Sequence, residues 1–206
     1  MVHFLISPTK TEHYSETEFL NRDAFWDLYA PGCVEHFLVH RLRRHADYVP
    51  ELDLVACQND TGKVLGNIVC SKARILGPDS QSAEALCVGP LAVLPEYQKQ
   101  GLGTALMNAA IAAAKDLGYR AMVLYGNPAY YNRFGFVNAQ TYEIQTSQGT
   151  NFDAFMVLEL YPEGLKGVTG RFHESEAFAF EPDAAEEFDK AFPPREKHVT
   201  DTQLKH

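Results

Sequence analysis

The residues whose types and spacing best carry chemistry are Gln98-Lys99-Gln100-Gly101-Leu102-Gly103-Thr104, set between an apolar run and an Ala- and Leu-rich segment. Glycines let a backbone approach a ligand closely, and the first N–H groups of a helix have no acceptor of their own. The helix dipole adds partial positive charge at the same place. A pyrophosphate would bind well there. Two common nucleotide loops do not fit. A Rossmann loop needs GxGxxG directly after the first strand, but position 106 is Leu and the loop comes mid-chain. A P-loop needs GxxxxGK with Ser or Thr next, whereas Gly103 is followed by Thr104-Ala105. The pattern that remains is Gln-x-x-Gly-x-Gly between a strand and a helix.

The surrounding pattern supplies both elements. Ala85–Leu94 reads as a central strand, and Leu102–Leu117 as a helix ended by Gly118. Before them lie a strand over Val2–Ile6, helices over Glu16–Tyr29 and Val34–Ala46, and a hairpin of Leu52–Gln58 with Lys63–Ser71, Leu76 being the alternative end of its second strand, then a loop over Gly77–Ser82. After them come a buried strand over Ala121–Tyr125 and a short helix over Pro128–Phe134, with Asn127 as its N-cap. Phe136–Gln145 and Phe152–Leu160 read as two further strands, and Gly170–Phe180 as one more. From Glu181 onward charges and prolines dominate, so a surface-lying or mobile tail without a catalytic role is expected.

The run Leu91-Ala92-Val93-x-Pro95-x-Tyr97-Gln98-x-x-Gly101-x-Gly103-x-x-Leu106 resembles the cofactor-binding motif of the GNAT superfamily of N-acetyltransferases. Tyr131-x-x-x-Gly135-Phe136 resembles its second motif. The stretch from Gly126 to Phe136 looks like a branch whose members are mostly known only as predicted acetyltransferases. The resemblance implies a mixed α/β fold: a central, mostly antiparallel sheet of about seven strands, splayed in the middle and flanked by about four helices. It makes residues 1–160 the acetyltransferase domain and 161–206 an extension packing on it or trailing from it.

It also implies acetyl-CoA as acyl donor. Leu91, Ala92 and Val93 would line the pantetheine arm, with an amide of Leu91 or Val93 as oxyanion donor. Gln98, Lys99, Gln100, Gly101, Leu102, Gly103 and Thr104 would hold the pyrophosphate, and Asn127 joins the cofactor contacts. Tyr131 becomes the acid that protonates the departing thiolate. Tyr130 is the rival, and two packing aromatics are the bland reading. Pro90 lacks an N–H and Gly89 favours a bulge, so strand pairing should fail there.

The acceptor side is thinner. Many family members place a glutamate on the strand before the cradle, but Ala85-Leu86-Cys87-Val88 has no carboxylate. Cys87 reads as a buried thiol rather than a nucleophile. Water-mediated deprotonation of a directly attacking amine is therefore the default. Glu35 and His36 open the second helix and could act on that amine, Glu35 being the second catalytic candidate. Trp26 and Phe25 shape the acceptor site or pack the first helix. Arg41, Arg43 and Arg44 read as a solvated face. His36 and His40, four apart, lack a third ligand, so no metal is expected.

Bulk composition fits this reading. The chain has 206 residues, 46% of them hydrophobic and 22% charged, as in an ordinary soluble domain. A net charge of −9 argues against nucleic acid as partner and suits a cationic amine, whether small molecule or peptide. No apolar run reaches the roughly 18 residues of a membrane span, and the opening shows no signal-peptide pattern. Four separate cysteines suit reduced thiols in a cytoplasmic protein, and a homodimer is compatible. A non-catalytic acyl-CoA sensor on the same fold is the competing reading.

Overall fold

Apolar alternation builds the sheet, and the computed structural model describes it for residues 3–78 and 82–203. Val2 and positions 79–81 of the expected Gly77–Ser82 loop lie outside the described residues. The strands are β1 (Phe4–Pro8), β2 (Tyr48–Gln58), β3 (Val64–Leu76), β4 (Ser82–Val93), β5 (Ala121–Tyr125), β6 (Val137–Asn138), β7 (Ile144–Gln145), β8 (Phe155–Glu159) and β9 (Gly170–His173). They form one sheet in the order β1-β2-β3-β4-β5-β8-β6, with β9 beside the outer half of β3 and β7 beside β9. Only β4 with β5 and β7 with β9 run parallel.

Among the described residues five helices flank it: α1 (Tyr14–Phe25), α2 (Glu35–Leu42), α3 (Leu102–Asp116), the single turn α4 (Pro128–Tyr131) and α5 (Pro182–Asp189). In α3, Leu102, Leu106, Ala110 and Ala114 repeat at helical spacing and are buried with Ile68, Leu86, Val88 and Met122. Odd-numbered neighbours on the same strands face the other way. Ala85, Cys87 and Val123 pack in a second core with Ile144, Phe155 and Phe172.

The sheet splits where the sequence predicts. β4 and β5 pair only at Leu86–Met122 and Cys87–Val123. Beyond that point the β3–β4 register slips between Val88 and Leu91, so that Gly89 and Pro90 share the space opposite Val69. Gly89 sits at φ 143°, a conformation that side-chain-bearing residues rarely adopt.

Elsewhere the structure departs from expectation. The stretch Phe136–Gln145 is two strands of two residues each. Between them the Gln140 N–H donates to the Asn138 side chain, and a 3-10 turn over Ala139–Tyr142 breaks the run. The strand expected over Gly170–Phe180 ends at His173, because Ser175 caps a second such turn by accepting from the Ala177 N–H at 3.2 Å. The expected tail is instead anchored. Pro182 opens α5, Asp189 accepts two hydrogen bonds from Arg22 at 2.6 and 3.1 Å, and Phe192 meets Phe19 at 4.7 Å between ring centres. The Trp26 indole donates to the Glu196 carbonyl at 3.0 Å.

Arg43 is not part of a solvated face either. Its side chain is fully buried against Asp53, donating through Nε at 2.8 Å and Nη2 at 3.3 Å. Asp53 also accepts from Thr9 (2.6 Å), Tyr48 (2.9 Å) and Asn67 (2.9 Å), and Asn67 accepts from Asn21 at 3.1 Å. One buried carboxylate thus ties the end of α2 and, through Asn67, α1 to β2, β3 and the residue that follows β1.

Candidate active site

At the end of β4 the backbone alternation decides which amides are free. The Leu94 N–H donates to the Leu65 carbonyl on β3 at 3.0 Å. Residues two apart point the same way, so Ala92 shares that direction while Leu91 and Val93 turn their amides toward the split. The Gln98 side chain then donates to the Val93 carbonyl at 3.1 Å and fastens the following loop to the strand end.

Lys99 at φ 59° and Gly101 at φ 91° both take the left-handed conformation, folding successive N–H groups into a concave nest. Gly101 caps α3, and the first helical bond runs from the Ala105 N–H to the Gly101 carbonyl at 2.9 Å. The amides of Leu102, Gly103 and Thr104 therefore open the helix without an intrahelical acceptor. A methyl group on Gly103 would lie 2.8 Å from the Tyr130 hydroxyl and fill the cradle.

These groups surround a cavity of about 610 Å3. Leu91, Val93, Gln98, Lys99, Gly101, Gly103, Thr104 and Tyr131 all line it. Ala92 and Leu102 do not, because their side chains are buried in the core behind it. Gln100 turns its amide back to the Glu96 carbonyl at 3.1 Å, and Asn127 accepts from the Ala129 N–H at 2.9 Å as the cap of α4. Glu35 is elsewhere, in a cavity of about 140 Å3 with Phe25, Tyr29 and Lys197. Three lining residues lack an assigned cofactor role in the sequence reading: Tyr97, Tyr130 and Arg133. All three stand inside the quoted motifs, so position was the available signal. Arg133 lies over the Tyr130 ring at 4.8 Å and adds a second cation to the cavity beside Lys99.

Tyr131 is held by packing. Its ring crosses Tyr130 at 5.0 Å and Phe136 at 5.8 Å between centres, and a methyl group on Gly126 would overlap it. Burial first, then Tyr130, Tyr29 and Cys70, pushes its phenol above the ordinary tyrosine range. It stays protonated at neutral pH, the form a proton donor needs. Burial also raises the Glu35 carboxyl, and raises Tyr29 together with the Glu35 charge, so Tyr29 stands electrostatically between the two cavities.

His36 is fully buried, 3.1 Å from an Asp189 oxygen, and burial pushes it down to about 4. It is neutral and closed off from an acceptor. His40 faces Glu18 at 3.0 Å instead of sharing a site with His36. Among the described residues no three His, Cys, Asp or Glu side chains cluster as metal ligands. Burial, followed by the Glu174 charge, raises the Cys87 thiol well above its ordinary value, so it is no ready nucleophile.

The profile of the acetyltransferase (GNAT) family matches residues 22–136, the stretch that holds the split parallel pair and the amide nest at its mouth. The chain belongs to this family. It is 37% identical over 139 residues to the uncharacterized N-acetyltransferase YhbS of Escherichia coli, covering 66% of this chain and 80% of that protein. The crystal structure of E. coli YhbS in complex with CoA superposes with a TM-score of 0.75 at 31% identity, over 86% of this chain and 93% of that one. A GNAT-family acetyltransferase from Brucella melitensis in complex with acetyl-CoA gives 0.68 at 27% identity, over 87% and 100%.

Proposed function

We propose that this acetyltransferase moves the acetyl group of acetyl-CoA to a primary amine of a small molecule or peptide, by direct attack in a ternary complex. The observation that carries the reading is a single cavity lined by Leu91 and Val93 of the strand end, by Lys99, Gly101, Gly103 and Thr104 of the nest, and by Tyr131. The CoA and acetyl-CoA complexes of its two structural relatives support it.

The nest fits a pyrophosphate: unpartnered amides, a helix N-terminus, and Lys99 with Arg133 as counter-charges. Acetyl-CoA supplies an activated thioester carbonyl. An amide of Leu91 or Val93 donates to that oxygen as charge gathers on it. The amine nitrogen bonds to the carbonyl carbon, the C–S bond breaks, and Tyr131 gives the departing sulfur a proton. Glu35 would draw the positively charged acceptor toward the split. Arg133 and Tyr130 hold the phosphate end.

Two measurements test this. Thiol release from acetyl-CoA is followed with polyamines, aminoglycosides, amino acids and N-terminal peptides. Turnover of at least one is expected, whereas CoA binding with no turnover on any amine would make the protein an acyl-CoA sensor. Gly103→Ala should weaken CoA binding by about tenfold, roughly 1.4 kcal/mol by calorimetry, because its methyl group occupies the cradle. Unaltered affinity would remove the nest from the binding site.

A further inference from the structure

The strand before the cradle lacks a carboxylate, but the fold brings one to it from far along the chain. β9 runs antiparallel to the outer half of β3, with His173 opposite Arg74. The next residue, Glu174, reaches over the sheet and places its Oε2 4.0 Å from the Cys87 sulfur. Cys87 lies four residues before Leu91, on the sheet face away from α3. The Tyr125 phenol is on the same side: burial raises it first, then the charges of Glu174 and Cys87. Tyr125 ends β5, at the mouth of the split.

Two further observations set this corner apart. Glu174, a residue partly open to solvent, has no ion-pair partner among the described residues, whereas the buried Asp53 and the half-buried Asp189 are each held by an arginine. Ser71 stands directly opposite Cys87 in the β3–β4 ladder, and its fully buried hydroxyl has no hydrogen-bond partner among the described residues. A buried polar group is ordinarily paired. The Glu174 carboxylate, 4.0 Å from the Cys87 thiol, and the unpartnered Ser71 hydroxyl opposite that cysteine form a proton-accepting corner beside β4.

We propose that Glu174 takes the proton that the acceptor amine must lose, so that the C-terminal segment completes the reaction centre. The inference rests on the acetyl-transfer reading above. An alkylammonium loses two protons in becoming an amide. One passes to the Glu174 carboxylate before nitrogen attacks the carbonyl carbon. The other leaves as the C–N bond forms and the C–S bond breaks, and it restores the Tyr131 phenol that has protonated the sulfur. Glu174 then releases its proton to solvent.

The surroundings suit that task. Glu174 lines a cavity of about 420 Å3. The charged and titratable groups facing that space are His45 and Asp47 before β2, Lys72 and Arg74 of β3, Glu84 of β4, Tyr119 before β5, and its own neighbours His173 and Glu176. They offer a polar route outward. Partial burial raises the Glu174 carboxyl above the usual glutamate value, which makes it a stronger base.

The test compares Glu174→Gln, Glu174→Asp and Glu35→Gln on the best amine found for the unaltered protein. Glu174→Gln should lower kcat by about 10²-fold, the usual scale of general-base loss, with CoA affinity and melting temperature unchanged. The acid limb of its kcat/KM profile, which rises with pH as Glu174 ionises, should disappear. Glu174→Asp should retain that limb with part of the rate. Unchanged kcat and an unchanged pH profile in Glu174→Gln would overturn the inference, as would finding that Glu35→Gln alone removes the limb. Failure of the unaltered protein to acetylate any amine defeats the transfer reading first, a result separable from either.

Discussion

Replacing Tyr131 by Phe should lower kcat by about 10²-fold while leaving the CoA dissociation constant where it was. The substitution deletes one hydroxyl and keeps the ring contacts with Tyr130 and Phe136 that fix the side chain. The lost group is one whose environment holds its proton above the ordinary phenol range, chiefly through burial. A thiolate leaving group with a conjugate pKa near 8.5 gains from a donor of this kind only as the C–S bond breaks. The effect therefore falls on kcat and not on binding. Tyr130→Phe is the contrasting variant: its hydroxyl overlooks Gly103 at the nest, so its loss should appear in the KM for acetyl-CoA. Equal kcat values for Tyr131→Phe and the unaltered protein would end the proton-donor assignment.

Asp53→Ala should cost roughly 3–5 kcal/mol of stability, the usual consequence of stranding the partner of a buried ion pair. Asp53 and Arg43 have no side-chain exposure, and Thr9, Tyr48 and Asn67 also donate to the lost carboxylate. In a chain of this size the melting temperature should fall by about 10 °C or more, readable by calorimetry. Asp53→Ala combined with Arg43→Met should recover part of the loss, because the uncompensated buried cation is then gone. A melting temperature within a degree or so of the unaltered protein would show that the charge pair contributes little net stability.

The donor half of the site is legible in the sequence because its determinants are local. Strand end, nest and helix start fall within Leu91–Leu106, and the Gly89-Pro90 pair announces the split a few residues earlier. The acceptor half depends on contacts across long separations. Glu174 meets Cys87 across 87 positions and Arg22 meets Asp189 across 167, and no periodicity records either pairing. Arg43 looks like its solvated neighbours Arg41 and Arg44 until the fold places Asp53 beside it. Two-residue strands such as β6 and β7 are too short for alternation to show. One signal was there to be used: Ala185, Phe188 and Phe192, three and four apart among charges, mark the docking face of α5 and of the turn that follows it.

The distance along the chain between the two halves has a consequence for the order in which they form. On a ribosome the residues from Leu91 to Phe136 emerge together and close mostly local contacts, which form fast. Arg22, Trp26 and Cys87 must wait for Asp189, Glu196 and Glu174. A chain ending near residue 160 would therefore carry every residue that lines the donor cavity while lacking Glu174 and the clamp on its first two helices. With Glu174 as the proposed base, synthesis of the last forty or so residues would act as a timing step, required for turnover of an acceptor but adding no residue to the cavity that faces acetyl-CoA.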